Sequence, residues 1–256
     1  KSKKLGYPWC IGIESGGATG WAATDWMEEY VLRYGGEAEY TAWWKGKLAW
    51  SSPTVQKAAK KFADIALTPG NVNGGGKAIA ATGFGATANL FATDKNKCFM
   101  MRQGSFITDF FPDAVKAEYK ANNFTRVGVF KLPAPAGTTD AVLGGGDLAA
   151  AFDANPATQK VLNFILSDKL GQGAMLSNYP SYLSAHKTFP SAGYKNPITK
   201  NIAGILSSAK LFGFDGSDLA PAVVNATEWT ELTNWIAGKK TQKQAFAAID
   251  ASWSKA

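Results

Sequence analysis

Histidine is nearly absent from this sequence: His186 is the single one among 256 residues, and it lies in the loop-rich run Ser184 to Phe189. A His-based triad or a His-rich metal site is therefore poorly supplied. Missing too are the G-x-S-x-G elbow, the P-loop and the H-E-x-x-H helix, so the usual nucleophile and metal signatures are not present. Only two cysteines occur, Cys10 and Cys98, and they match no C-x-x-C pattern; from the residues alone they are either one bridge or two buried thiols. No apolar run approaches the roughly 18 residues that cross a bilayer, and the opening KSKKLGYPWC lacks the apolar region of a signal peptide. Internal repeats and low-complexity tracts are also lacking. The excess of 27 Lys and Arg over 20 Asp and Glu gives +7, but these charges are scattered. Beyond Lys1 to Lys4, Lys57 to Lys61 and Lys239 to Lys243 there is no basic stripe and no nucleic-acid-binding motif, so solvated helix faces account for them and no nucleic-acid partner is expected.

What the chain does have is apolar and aromatic material. With 46% hydrophobic residues, nine Trp and fifteen Phe, it can build a real core, as one large domain or two smaller lobes. The most informative stretch is Pro8 to Arg33. Trp9 to Ile13 has the short apolar form of a buried strand, and the Gly/Ser/Thr-rich run Glu14 to Gly20 breaks it. A helix follows, with Asp25 and Glu28 in capping-box spacing and Trp26, Met27, Tyr30, Val31 and Tyr34 on one buried face. Trp21 lies off that face. A ring beside loop N–H groups and the short hydroxyls of Ser15 and Thr19 suits a flat, hydroxyl-rich ligand, of which a sugar is the best example. Core packing is the competing role for Trp21.

Further on, Gly35 and Gly36 mark a stop, Pro53 opens a helix with Val55, Ala58, Ala59, Phe62 and Ile65 as its stripe, and Ala78 to Thr82 reads as a strand. Ser105 is placed to cap a helix that opens beside Gln103 and Gly104. Val127 to Leu132 reads as a strand, and Pro133 to Thr139 as a linker because its prolines and glycine oppose regular structure. Gly144 to Gly146 follow a strand and allow close backbone approach to a ligand, but without the G-x-G-x-x-G spacing of a dinucleotide site. Asn155-Pro156 starts a helix with Val161, Leu162, Ile165 and Leu166 inward. Helices over 199–211, 227–237 and 241–253 complete the chain, the last with Thr241 and Gln244 as its capping box.

Five blocks are familiar in order: PWCIGIESGGATGWAATDW from Pro8, CFMMRQGSFITDFF from Cys98, VGVFKLPAPAG from Val127, GGGDLAAAF from Gly144 and FDGSDLAPAVV from Phe214. Together they resemble the extracellular solute-binding proteins of ABC-type sugar importers, in their alpha-glucoside-binding branch. The resemblance implies an α/β, periplasmic-binding-protein-like fold of two lobes, of which this chain is mostly the second, C-terminal lobe plus part of the first. It implies residues 1–133 in the C-terminal lobe, a hinge at 134–139, a segment 140–178 belonging to the N-terminal lobe, and a return to the C-terminal lobe over 179–256. The likeness begins well inside such proteins, so the chain is expected to be truncated at its N-terminus. The resemblance also favours a Cys10–Cys98 bridge, since cysteines stand in both blocks.

For ligand contact it points to Trp21 as a stacking ring, Gln103 as a two-way hydrogen-bonding amide, the Gly145 and Gly146 backbone as a floor, and Asp147 as an acceptor from two sugar hydroxyls. Ser15, Thr19 and, in the late helical region, Trp229 complete the expected set; Trp229 has core packing against Leu232 and Ile236 as its alternative role. The implied protein is a monomeric binder, periplasmic or extracellular and a membrane-anchored lipoprotein, that closes on an oligosaccharide and delivers it to a permease; no catalytic residue and no cofactor are expected. Two other classes fit the residues. A glycan-binding adhesin needs no other chemistry, and a glycosidase needs only two carboxylates, for which Glu14, Asp25, Asp147 and Asp218 are available.

Overall fold

The computed structural model describes residues 6–91, 97–121, 123, 125–172, 181–194 and 196–256. The boundary expected near residue 178 lies outside them. The chain forms two compact units: the first holds 1–103, 132–144 and 209–256, the second 104–131 and 145–208. The stretch 134–139, expected as a hinge, falls within the first unit's middle segment.

The first unit begins with β1 (Tyr7–Trp9), which pairs in parallel with β2 (Cys98–Met100), Tyr7 opposite Cys98 and Trp9 opposite Met100. Cys10 and Cys98 form a disulfide with Cα atoms 5.3 Å apart. The extended chain runs on past β1: Cys10 N donates to Met100 O, Ile13 N to Ile79 O and Glu14 N to Thr82 O. Helix α1 (Trp21–Trp44) follows, then α2 (Pro53–Ala66), α3 (Gly75–Ala81) and α4 (Ala86–Phe91). In the second unit, α5 (Asp113–Lys120), α6 (Pro156–Ile165) and α7 (Pro197–Ser207) join short 3-10 turns. The first unit regains the chain at β3 (Ala141–Gly144) and β4 (Leu211–Phe214), parallel neighbours in register from Ala141 opposite Leu211 to Gly144 opposite Phe214. Helices α8 (Ala222–Ile236) and α9 (Gln242–Ser252) close it.

The first unit's core is aromatic. Trp26, Tyr30, Trp43, Trp50, Phe62, Trp235 and Phe246 are all buried, with Trp50 4.9 Å from Phe246 and 5.0 Å from Trp43 between ring centres. Edge-on and tilted pairs of this kind add to the simple burial of ring area. In the second unit the described buried apolar residues are Ile107, Phe111, Val115, Tyr194 and Ile198.

Several local readings are corrected. Helix α1 starts at Trp21 with Gly20 as its N-cap, so Asp25 and Glu28 sit inside the helix and do not cap it. Gly35 and Gly36 do not end it; the helix resumes after a kink at Gly36, which takes φ 64° and ψ −169°. Residues 78–81 are the end of α3 and not a strand, with Thr82 as the helix's extended C-cap, because Gly75–Ala81 is rich in alanine, the best helix former, and buries only Ile79. No strand forms over 127–132. Ser105 opens a 3-10 turn whose N-cap is Gly104. Helix α6 has no buried residue: Val161 is 58% and Leu166 66% exposed, with neither facing inward. The Thr241–Gln244 capping box is formed with both of its hydrogen bonds.

Candidate ligand-binding face of the first unit

The loop between the first extended run and α1 is tied internally. Thr19 Oγ1 accepts from Ser15 N at 3.0 Å and donates to Gly16 O at 2.7 Å, while Glu14 Oε1 accepts from Gly16 N at 2.8 Å. Gly20 N donates to Ile13 O, which closes the loop on the end of its own strand. The Thr19 hydroxyl is therefore already engaged in shaping the loop. A Cβ added at Gly16 or Gly17 would meet nothing within 4 Å, so this backbone is open to an approaching ligand.

Gly20 adopts φ 118°, a conformation that side chains disfavour, and a Cβ there would stand 2.3 Å from the Trp229 carbonyl oxygen. The loop and α8 thus meet through backbone at Gly20, and Thr233 Oγ1 adds a long hydrogen bond to Thr19 O at 3.5 Å. That contact sets the Trp229 backbone against Gly20, the residue between Thr19 and Trp21. Trp21, the first residue of α1, is half-buried and meets Phe84 edge to face with ring centres 5.0 Å apart. Phe84 is set by its own backbone: Phe84 N donates to Glu14 O, and Gly83 bridges Glu14 in parallel. Trp229 Nε1 is buried and has no hydrogen-bond partner among the described residues, and the same holds for Gln103 Oε1. Buried polar atoms of this kind call for an explanation.

Gln103 follows Arg102, whose guanidinium reaches α1. Arg102 Nη1 donates to Asp25 Oδ2 at 2.6 Å and Nη2 to Glu29 Oε2 at 3.2 Å. Glu28, Asp215 and Glu228 add further carboxyls that act on one another and on Asp25. Glu28 accepts from Gly216 N at 2.9 Å and Ser217 N at 3.2 Å. Burial, with Asp215 and Asp25 nearby, holds its carboxyl well above the usual carboxylate range. Asp25 is pushed up to about 6 by burial, against the lowering pull of Arg102. Glu228, the chain neighbour of Trp229, is pushed up to about 8 by burial and by Asp215.

Gly145, Gly146 and Asp147 belong to the second unit and are exposed. The first unit's cavity of about 490 Å³, lined by Tyr34, Lys57, Lys60, Lys61, Asp64 and the 136–138 turn, includes none of the expected ligand residues. Among the described residues no cluster of His, Cys, Asp or Glu could hold a metal ion, and no helix is long and apolar enough to cross a membrane. His186 belongs to a surface turn, its Nδ1 accepting from Thr188 N at 3.3 Å. Sequence reasoning missed Phe84 and Arg102. Arg102 stands inside a familiar block, but its partners lie 77 and 73 residues away, beyond the reach of local spacing.

No protein-family model matches the chain. Two curated proteins do. The alpha-glucosides-binding periplasmic protein AglE of Rhizobium meliloti is 33% identical over 96% of this chain and 53% of its own length. The osmoprotective compounds-binding protein GgtB of Synechocystis is 31% identical over 97% of this chain and 57% of its own length. The chain thus spans about half the length of the curated relatives it matches. Among solved structures, a chitin oligosaccharide binding protein superposes with a TM-score of 0.74 over all of this chain and 61% of its own, at 18% identity, a likeness of fold. All three are named for binding their ligands. The chain is similar to the two curated binding proteins and has a mixed α/β, periplasmic-binding-protein-like fold in partial extent.

Proposed function

We propose that this chain is the larger part of an extracellular or periplasmic carbohydrate-binding protein that captures an oligosaccharide of alpha-glucoside type and hands it to the permease of an ABC importer. The observation that carries this reading is similarity along 96% of the chain to a protein named for binding alpha-glucosides. The first unit's chemistry supports it. An exposed glycine loop lies next to Trp21, Phe84 and Trp229, with the unpartnered Gln103 Oε1 and Trp229 Nε1 in the same unit. Aromatic faces with a few fixed polar groups suit a pyranose ring.

In this reading Trp21 and Trp229 stack on sugar, Ser15 donates to a hydroxyl, Gln103 accepts and donates, and Thr19 holds the loop that Ser15 stands on. Gly145, Gly146 and Asp147 contribute from the second unit. The division into a C-terminal lobe (1–133 and 179–256), a hinge at 134–139 and an N-terminal-lobe segment (140–178) belongs to the same proposal, as do closure of two lobes around the sugar, a monomeric state and a lipid anchor. Closure requires contacts that favour the closed form over the open one.

A second ligand class has its own observation. GgtB, named for osmoprotective compounds, matches at nearly the same identity, so small compatible solutes belong beside sugars in any panel. The test is tryptophan fluorescence of the full-length protein, and of this chain alone, during titration with alpha-linked gluco-oligosaccharides, chitin oligosaccharides and small osmoprotectants. A saturable change with alpha-glucosides, reduced and moved to about tenfold higher concentration by Trp21→Ala, is the expected result. A response confined to osmoprotectants replaces the ligand class, and no response to any of them contradicts the reading.

A further inference from the structure

The chain leaves the first unit after Gln103 and again after Gly144, and both departures are anchored to the same carboxylate of α1. Glu29 Oε2 accepts from Arg102 Nη2 at 3.2 Å. Its other oxygen, Oε1, accepts from Arg33 Nε at 2.7 Å and pairs with Arg33 Nη2 at 2.6 Å. Each arginine then holds a departing segment. Arg102 is the residue immediately before Gln103. Arg33 Nη2 donates to Ala141 O at 3.0 Å, at the start of β3, and Arg33 O accepts from Thr139 N at 2.9 Å just ahead of it. All three side chains are shielded, with Arg33 1%, Glu29 7% and Arg102 15% exposed. Asp25 gives Arg102 a second partner, but Arg33 has Glu29 as its only paired carboxylate among the described residues.

We infer that Glu29 is a positioning residue: through Arg102 and Arg33 it fixes the two segment ends from which Gln103 and the Gly145–Asp147 run emerge. A buried carboxylate shared by two guanidiniums holds both in direction, because charge-assisted hydrogen bonds form only in a narrow range of angles. With Arg33 Nη1 unpartnered among the described residues, Glu29 and the Ala141 carbonyl are what orient that guanidinium. Losing that carboxylate leaves two buried cations short of a partner, so both segments loosen together. Glu28 serves a different segment, Gly216 and Ser217, and gives an internal comparison. The anchoring stands on these contacts alone, and the consequence for ligand rests on the sugar-binding reading above.

The test uses the full-length protein carrying Glu29→Gln, with Glu28→Gln as comparison, and amide hydrogen exchange as the readout. Glu29→Gln is expected to speed exchange about tenfold or more in both 98–103 and 139–144, while α9 keeps its protection. Glu28→Gln is expected to act on 214–217. Sugar affinity of Glu29→Gln, measured where circular dichroism shows it folded, should fall about tenfold or more. Combined with Gln103→Ala, the loss should be less than the product of the two single effects, which a merely destabilising change would not produce. Acceleration in one segment only, or in neither, overturns the anchoring. Faster exchange in both segments with unchanged affinity overturns the positioning role. Absence of sugar binding by the unaltered protein contradicts the functional proposal and leaves the exchange result to decide the anchoring.

Discussion

At the scale of single residues, Glu228 carries the clearest prediction. Burial and Asp215 push its folded pKa up to about 8 from the ordinary glutamate value of 4.5, so between these values the folded protein holds a proton that the unfolded chain releases. The stability this contributes is fully present below about pH 4.5 and is lost as pH rises through about 8, with each unit of separation worth about 1.4 kcal/mol. Glu228→Gln keeps the shape without the charge. Urea denaturation from pH 5 to 9 should show a decline in the natural protein that flattens in the variant, and equal slopes would contradict the assignment. Gly20 gives a second case. An alanine there would carry a Cβ 2.3 Å from the Trp229 carbonyl oxygen at φ 118°, and Gly20→Ala should lower stability by more than about 1 kcal/mol in the same assay. In the proposed reading Trp21 stacks on the sugar, and Trp21→Ala should weaken sugar binding about tenfold with little change in melting temperature, since the ring is only half-buried.

At the scale of elements, the Cys10–Cys98 bridge ties β1 to β2 across a separation of 88 residues. In the chain-entropy view, a loop of that length is worth about 4–5 kcal/mol. Double replacement of Cys10 and Cys98 by serine should lower the denaturation midpoint accordingly, and an unchanged midpoint would show that β1 and β2 hold without it. Elements also show what was legible in the sequence. Thr241 and Gln244 form the capping box that their spacing announces, because nothing upstream competes for that helix start. Asp25 and Glu28 have the same spacing and cap nothing: Gly20, held against the Trp229 backbone, starts α1 earlier, and their carboxyls turn instead to Arg102 and to Gly216 and Ser217. The run over 78–82 is apolar enough for a strand, but alanine content decides for helix when a segment buries only Ile79. Outward apolar side chains on α6 have the 3.6 period of a buried face and find no cover among the described residues. Periodicity reports which side is apolar; it does not say what lies against it.

At the scale of the molecule, five ordered sequence blocks carried the family resemblance, and similarity to AglE over 96% of the chain accords with it. The ligand face was legible only in part. Ser15, Thr19 and Trp21 follow one another along the chain and could be read together, and Trp229 joins them through the Gly20 contact. Phe84, Arg102 and Glu29 could not be found that way, since their roles depend on parts of the chain folded side by side. The central claim is that the protein binds an alpha-linked oligosaccharide and leaves it intact. Calorimetric titration of the full-length protein with an alpha-linked gluco-oligosaccharide, followed by chromatography of the recovered sugar, tests this most directly. The account predicts saturable one-to-one heat and a sugar recovered at its original length; no heat, or shortened sugar, would contradict it.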